Sequence, residues 1–227
     1  MNENGTQSAP FRLKVWGRDA CFTRPEMKVE RVSYDVMTPS AARGILEAIL
    51  WKPAISWLVE RIDVLAPIRW QSVRRNEVGS VMSTRSNGLF IEEQRQQRAG
   101  LFLRDVAYTI HARIQMTDRA GADDNLTKFQ EMFLRRAGKG QCFHRPYLGC
   151  REFAADFTLI RPDEPLPEPI ALCSDLGWML YDIQHDKRAD KNHVHFCTEA
   201  CRPSFFRAEL KKGILLIPQA NHGEVRQ

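Results

Sequence analysis

No run of about eighteen apolar residues occurs in this 227-residue chain, so no helix of membrane-spanning length is written in it. The first ten residues, MNENGTQSAP, lack the apolar stretch of a secretory signal, which sets the expectation of a cytoplasmic protein with no membrane partner. Cysteine is sparse. Cys21, Cys142, Cys150, Cys173, Cys197 and Cys201 are too few to staple a chain of this size, and in a reducing compartment they are expected to act mostly as small buried hydrophobes. There is no internal repeat. What is present is enough apolar content for a core (43% of residues) and 27% charged residues for its surface.

Acid is scarce where base concentrates. The formal net charge is +5, and it is unevenly spread. Arg69 to Arg104 holds seven arginines against three glutamates, and Lys128 to Arg151 holds six basic residues against Glu131 alone. Pro162 to Asp190 reverses the balance, with seven acids against Lys187 and Arg188. Two basic tracts beside an acidic one fit either a polyanion footprint or an ordinary solvated basic face. Arginine outnumbers lysine in both, and its planar fork suits phosphate oxygens and stacking on bases. The candidate phosphate ligands are Arg24, Lys28 and Arg31 in an irregular early segment, Arg74, Arg75, Arg95 and Arg98 in the first tract, and Arg145 and Arg151 in the second. Trp16 and Tyr34 are candidate stacking platforms.

Alternation over residues 11–16 predicts a strand with Phe11, Leu13 and Val15 on its inner face. Ala42, Ile45, Leu46, Ile49 and Leu50 lie at helical spacing behind a Thr38 or Ser40 cap, and Pro53 ends that helix. Strands are expected at 55–65, 101–116 and 151–160, with a helix over 124–136 whose apolar face is Leu126, Phe129, Met132 and Phe133. Residues 78–100 are too long and polar for a turn and read as a mobile, functional insertion. The order strand, helix, strand, excursion, strand, helix, strand predicts an α+β fold: a ferredoxin-like, RRM-like unit over 11–161 behind a disordered tail at 1–10. The proline-rich stretch 162–170 reads as a linker. Residues 171–227 then form a small β-rich C-terminal domain, with strands near 178–183 and 214–217 and a short helix around 205–211.

Longer words carry more specific information. VWGRDACFTRPEMKVERVSYDVMTPSAARGILEAILWKPA (15–54), RRNEV (74–78), RQQR (95–98), AGADDN (120–125), GQCFHRPYLGCREF (140–153), DLGWMLYDI (175–183) and FFRAELKKGIL (205–215) closely resemble the CRISPR-associated "Cas-five" family, Dvulg subtype, of type I-C systems. The resemblance implies a subunit that binds the five-prime handle of the guide RNA and caps the backbone of a Cascade effector complex. Its implied partners are CRISPR RNA, the backbone and large subunits and, indirectly, target DNA. It also implies an endoribonuclease that cuts precursor transcripts at repeats without metal, by attack of a 2′-hydroxyl on the adjacent phosphate. That reaction needs a base, a cation and an acid. The YLGCREF word looks like the superfamily's glycine loop, and Gly149 is expected to let backbone approach a phosphodiester.

The chain departs from the family pattern at two positions. Where the family carries Tyr or His before WKP this sequence has Leu50, and where it carries Lys-His it has Lys128-Phe129. Lys128 can steady a phosphorane, but Leu50 and Phe129 move no proton. Two readings stay open: a processing-impaired subunit that still binds handle RNA, or an active nuclease with a relocated site drawing on His111, His144, Tyr34 or Tyr147. His144 and Tyr147 are the better candidates, since they flank the basic glycine loop. A general single-strand RNA-binding module is the third reading, and the long specific words count against it. No cofactor is expected beyond a structural zinc, for which His193, His195, Cys197 and Cys201 supply the right donor types within nine positions. The bland alternative for those four is a strand face beside buried cysteines.

Overall fold

The computed structural model describes residues 7–85, 87–184, 201–219 and 223–226. Apolar residues at alternate positions build a single antiparallel sheet. Its strands are β1 (Phe11–Ala20), β2 (Ile55–Val64), β3 (Trp70–Val78), β4 (Arg95–Met116), β5 (Asp156–Ile160), β6 (Ser174–Gln184), β7 (Arg202–Lys211), β8 (Ile214–Leu216) and β9 (Val225–Arg226). The hydrogen-bonded order is β5-β1-β4-β2-β8-β7-β6, with β3 on β4 and β9 on β7. Helices α1 (Pro39–Ile49) and α3 (Leu126–Gly138) join this sheet, and α2 (Ile91–Gln94) is a single turn. The architecture is α+β. No helix among the described residues is long and apolar enough to cross a membrane.

Capping sets the helix starts. Thr38 Oγ1 accepts from Ala41 N at 3.3 Å, and Asn125 Oδ1 accepts from Lys128 N at 2.9 Å, each satisfying an otherwise orphaned donor. Both helices bury one face against the sheet: Ala42, Ile45, Leu46 and Ile49 from α1, and Phe129, Phe133 and Ala137 from α3. They meet Leu13 and Val15 of β1 and Ile110, Ala112 and Ile114 of β4 in one core. Phe11, Trp57 and Phe133 form an edge-to-face triangle with centroids 4.6–5.9 Å apart. Each such fully buried side chain contributes roughly 1.5–3 kcal/mol of transfer energy.

Four sequence expectations change. The helix expected at 205–211 is strand β7. Its segment is rich in helix formers, but Ser204, Phe206, Ala208 and Leu210 are buried at period two, and pairing with β6 and β8 overrides propensity. The excursion over 78–100 is shorter than its composition suggests. β3 and β4 form a hairpin arm from Trp70↔Leu103 to Val78↔Arg95, so 95–100 is strand. The strand expected from residue 151 begins at Asp156, because 146–155 folds as a closed loop through Leu148 N–Phe153 O (2.7 Å) and Ala155 N–Pro146 O (2.9 Å). In the expected tail, Ser8 is buried and exchanges hydrogen bonds with Ile114, donating from its N at 2.8 Å and accepting at Oγ at 2.9 Å. The proline-rich stretch carries no regular element, and the C-terminal strands continue the same sheet through β2–β8.

Candidate nucleic-acid interface

Three separate pieces of sequence meet at one end of β1: the irregular segment after it, the hairpin arm, and the 146–155 loop. Glu152 joins them. Its carboxylate accepts from Arg31 Nη1 at 3.3 Å and, at shorter range, from Arg75 Nη1. Arg75 also pairs with Glu77 at 3.3 Å, which holds Arg98 at 3.4 Å, and its guanidinium lies 5.0 Å from the Phe102 ring. Arg31, Arg75 and Arg98 thus form one half-exposed cluster, with one positive charge more than its two acids.

The other candidates are distributed around it. Arg74 and Arg95 are exposed on the arm, and Arg74 lies on the opposite face of β3 from Arg75. Lys28 is exposed after a 3-10 turn at Pro25–Met27. Arg24 is committed internally, paired with Asp35 at 3.2 Å and stacked 4.4 Å from the Tyr34 ring. Arg151 is exposed 5.9 Å from the Tyr147 ring, and Arg145 pairs with Asp156 at 2.5 Å. Trp16 stays accessible, with Lys14 Nζ 5.6 Å from its ring, but Tyr34 is buried and offers no stacking surface.

Gly149 has a different role from the one expected. Its φ is +84°, and a Cβ there would lie 2.0 Å from the Cys21 carbonyl oxygen. The close approach is to this chain's own backbone, pinning the 146–155 loop against β1 rather than opening it to a phosphodiester. Thr23 Oγ1 contacts both thiols beside it, Cys21 at 3.4 Å and Cys150 at 3.8 Å. The hydrogen bond with Cys150, together with burial, pushes the Cys21 thiol up, and the same bond holds Cys150 below its usual range.

The catalytic positions implied by the resemblance lie at the junction of α1 and α3. Leu50 is 0% exposed and Phe129 2%, both inside the main core. The Leu50 carbonyl accepts from Trp57 Nε1 at 2.9 Å. Lys128 is exposed and its Nζ is held by Asp124 Oδ1 at 3.0 Å. Of the substitute proton carriers, His111 is locked to Asp63 at 2.8 Å with its side chain mostly buried, and burial raises Tyr34. Tyr147 lines a cleft at the N-terminus of α1, away from Lys128, whereas His144 lines another cleft at the C-terminus of α1 together with Trp51 and Lys52. The single sequence did not isolate that second cleft, though LWKP and QCFHRP each set an aromatic beside a cation. His193, His195 and Cys197 lie outside the described residues, which leaves only Cys201 of the zinc set described. Among the described residues no group of three or more His, Cys, Asp or Glu is placed to hold a metal.

Residues 11–218 match the family model of the CRISPR-associated protein family Cas_Cas5, in its Cas5d form. The chain is 52% identical over 233 residues to the "CRISPR pre-crRNA endoribonuclease Cas5d" of Mannheimia succiniciproducens, spanning 96% of this chain and 98% of that protein. It is 44% identical over 224 residues to the protein of the same name from Thermus thermophilus, spanning 96% and 95%. A crystal structure of a CRISPR-associated protein shares the fold at a TM-score of 0.70 and 22% identity, over 98% of this chain and 99% of that one. A family model matched from the first strand through the last core strand, and two relatives similar over nearly their whole length, establish that this chain belongs to the CRISPR-associated Cas5 family.

Proposed function

We propose that this chain is the subunit that binds the five-prime handle of CRISPR RNA in a type I-C effector complex, acting in the cytoplasm in antiviral defence. The reading extends to impaired precursor cutting. The observation that carries the impairment is the burial of Leu50 and Phe129, two side chains without titratable groups at positions where the family resemblance implies proton transfer. Lys128 supplies a cation, but a single side chain cannot stand in for both of the proton-transfer groups that the reaction needs. The cluster of Arg31, Arg75 and Arg98, with Lys28, Arg74, Arg95 and Arg151 exposed around it, supports phosphate binding.

We further read residues 11–161 as a ferredoxin-like unit. The sequence β1-α1-β2-β4-α3-β5 and the strand order β5-β1-β4-β2 support this, with the β3 arm inserted between the second and third strands of the unit. Beyond the 162–170 linker we read the described residues of 171–227 as a small β-rich annex whose strands β6 to β9 extend the same sheet. The partners are the guide RNA and the backbone and large subunits, and target DNA is met only through them. The function needs no metal in this reading.

A second reading has two observations in its favour. Both close relatives are named pre-crRNA endoribonucleases, and His144 is exposed at a cleft beside the same helix end. Titrating the protein with labelled repeat RNA between about 50 and about 300 mM salt tests the binding claim. Affinity should fall steeply as salt rises, because bound phosphates release counterions. Affinity flat across that range would remove the phosphate contacts from the account.

A further inference from the structure

A cleft of about 540 Å³ lies at the C-terminal end of α1, lined by Glu47, Trp51, Lys52, Arg136, Phe143 and His144 among others. Two large aromatics stand at it without a core to serve: Trp51 is 59% exposed and Phe143 86%. Phe143 makes one edge contact with a neighbouring ring, His144, at 6.0 Å. The backbone beneath them is held firmly. Phe143 N donates to Ala48 O at 2.8 Å, and Arg136 Nη1 donates to Ile49 O at 2.9 Å, so the end of α1 anchors both the loop after α3 and the guanidinium. A surface fixed before its ligand arrives loses little entropy on binding.

The charge around the rings selects the ligand. Lys52 and Arg136 bring two cations against one acid, Glu47, so the lining carries one positive charge in excess. Exposed aromatic faces beside an excess of cations suit a base and its phosphate. A greasy protein segment would use the rings and leave the cations unmatched. The cleft also borders the junction described above: Lys52 acts electrostatically on Asp124, the partner of Lys128.

We propose that this cleft holds one unpaired nucleotide of the bound RNA, its base stacked on Trp51 and Phe143 and its phosphate met by Lys52 and Arg136. The inference rests on the RNA-binding reading above and adds a site to it. Glu47 and His144 line the same cleft and offer a carboxylate acceptor and ring nitrogens to the base edge or the ribose 2′-hydroxyl.

The test uses the full chain and repeat RNA carrying 4-thiouridine at single positions. Irradiation should cross-link one position to the peptide containing Trp51 or Phe143. The double variant Trp51→Ala, Phe143→Ala should lose that cross-link and bind about 5- to 150-fold more weakly, the range for one lost base stack. Its thermal unfolding should stay unchanged, since both side chains are exposed. Trp51→Phe with Phe143→Tyr keeps two rings and should restore binding, and Lys52→Ala should lower the salt slope by about one. Tight RNA binding by the double variant, with cross-links only elsewhere, overturns the inference while leaving the RNA-binding reading intact, and would assign the cleft to a protein partner. Absence of RNA binding by the unmodified chain overturns both.

Discussion

The substitution Glu152→Gln removes one negative charge from the point where Arg31 and Arg75 converge, and the structure sets the size of the effect. The cluster of Arg31, Arg75, Arg98, Glu77 and Glu152 goes from one net positive charge to two, with the shape of the side chain preserved. For a phosphate about 8 Å away, in a medium of effective dielectric constant about 40–80, the lost repulsion is about 0.5–1 kcal/mol. Binding of repeat RNA should therefore tighten roughly two- to fivefold at low salt. The gain should fade near 0.15 M salt, where the screening length is about 8 Å. The fold should lose less than about 1 kcal/mol, because these pairs are half exposed. Fluorescence anisotropy across a salt series, alongside urea unfolding, reads both quantities. Unchanged or weaker binding at low salt, with the fold intact, would refute the argument and move the phosphates away from this cluster.

Gly149→Ala should destabilise the protein by at least about 2 kcal/mol, since a Cβ meets the Cys21 carbonyl at a left-handed φ, whereas Gly44→Ala, with nothing within 4 Å, should stabilise it by about 0.5–1 kcal/mol. Urea midpoints of the two variants separate these outcomes. Burial pushes the Asp63 carboxyl up, but hydrogen bonds from His111 and Arg61 outweigh it and leave the group below its ordinary value of 3.8. A group lowered by folding contributes stability that is complete above its unfolded value and lost as pH falls through the folded one. Asp63 should therefore leave stability untouched down to about pH 5 and subtract from it below about pH 4, a decline that Asp63→Asn should flatten in acid unfolding curves. The double variant Leu50→His, Phe129→His should lose roughly 2–6 kcal/mol by burying two imidazoles, and should gain metal-independent cutting of repeat RNA. A stable double variant that still does not cut would show that Lys128 is not aimed at the scissile phosphate.

Where burial follows a clean period, the elements could be read from the chain. The stripe of Ala42, Ile45, Leu46 and Ile49 located α1, and alternation at Phe11, Leu13 and Val15 located β1. Leu50 and Phe129 were readable as core for the same reason. The hairpin arm was not, because it stands off the core and RQQRAG carries no apolar alternation to betray a strand. β7 was misread because Ala, Glu, Leu and Lys favour helix locally, and the pairing that overrides them comes from strands elsewhere in the chain. Position 149 looked like a ligand loop because a glycine does not say which backbone approaches it. The aromatic cleft joins Trp51 to Phe143 across 92 positions by way of the Ala48 carbonyl, a contact no local pattern encodes.

The proposed subunit holds CRISPR RNA with Leu50 and Phe129 buried where the family resemblance implies proton transfer. The most direct measurement incubates the unmodified protein with end-labelled repeat RNA in EDTA and follows both complex and fragments over time. A saturable, salt-sensitive complex with no single-site cut is the expected outcome. Robust metal-independent cutting at one position in the repeat would contradict it, and loss of that cutting in His144→Ala would show that the chemistry had moved to the cleft at the end of α1.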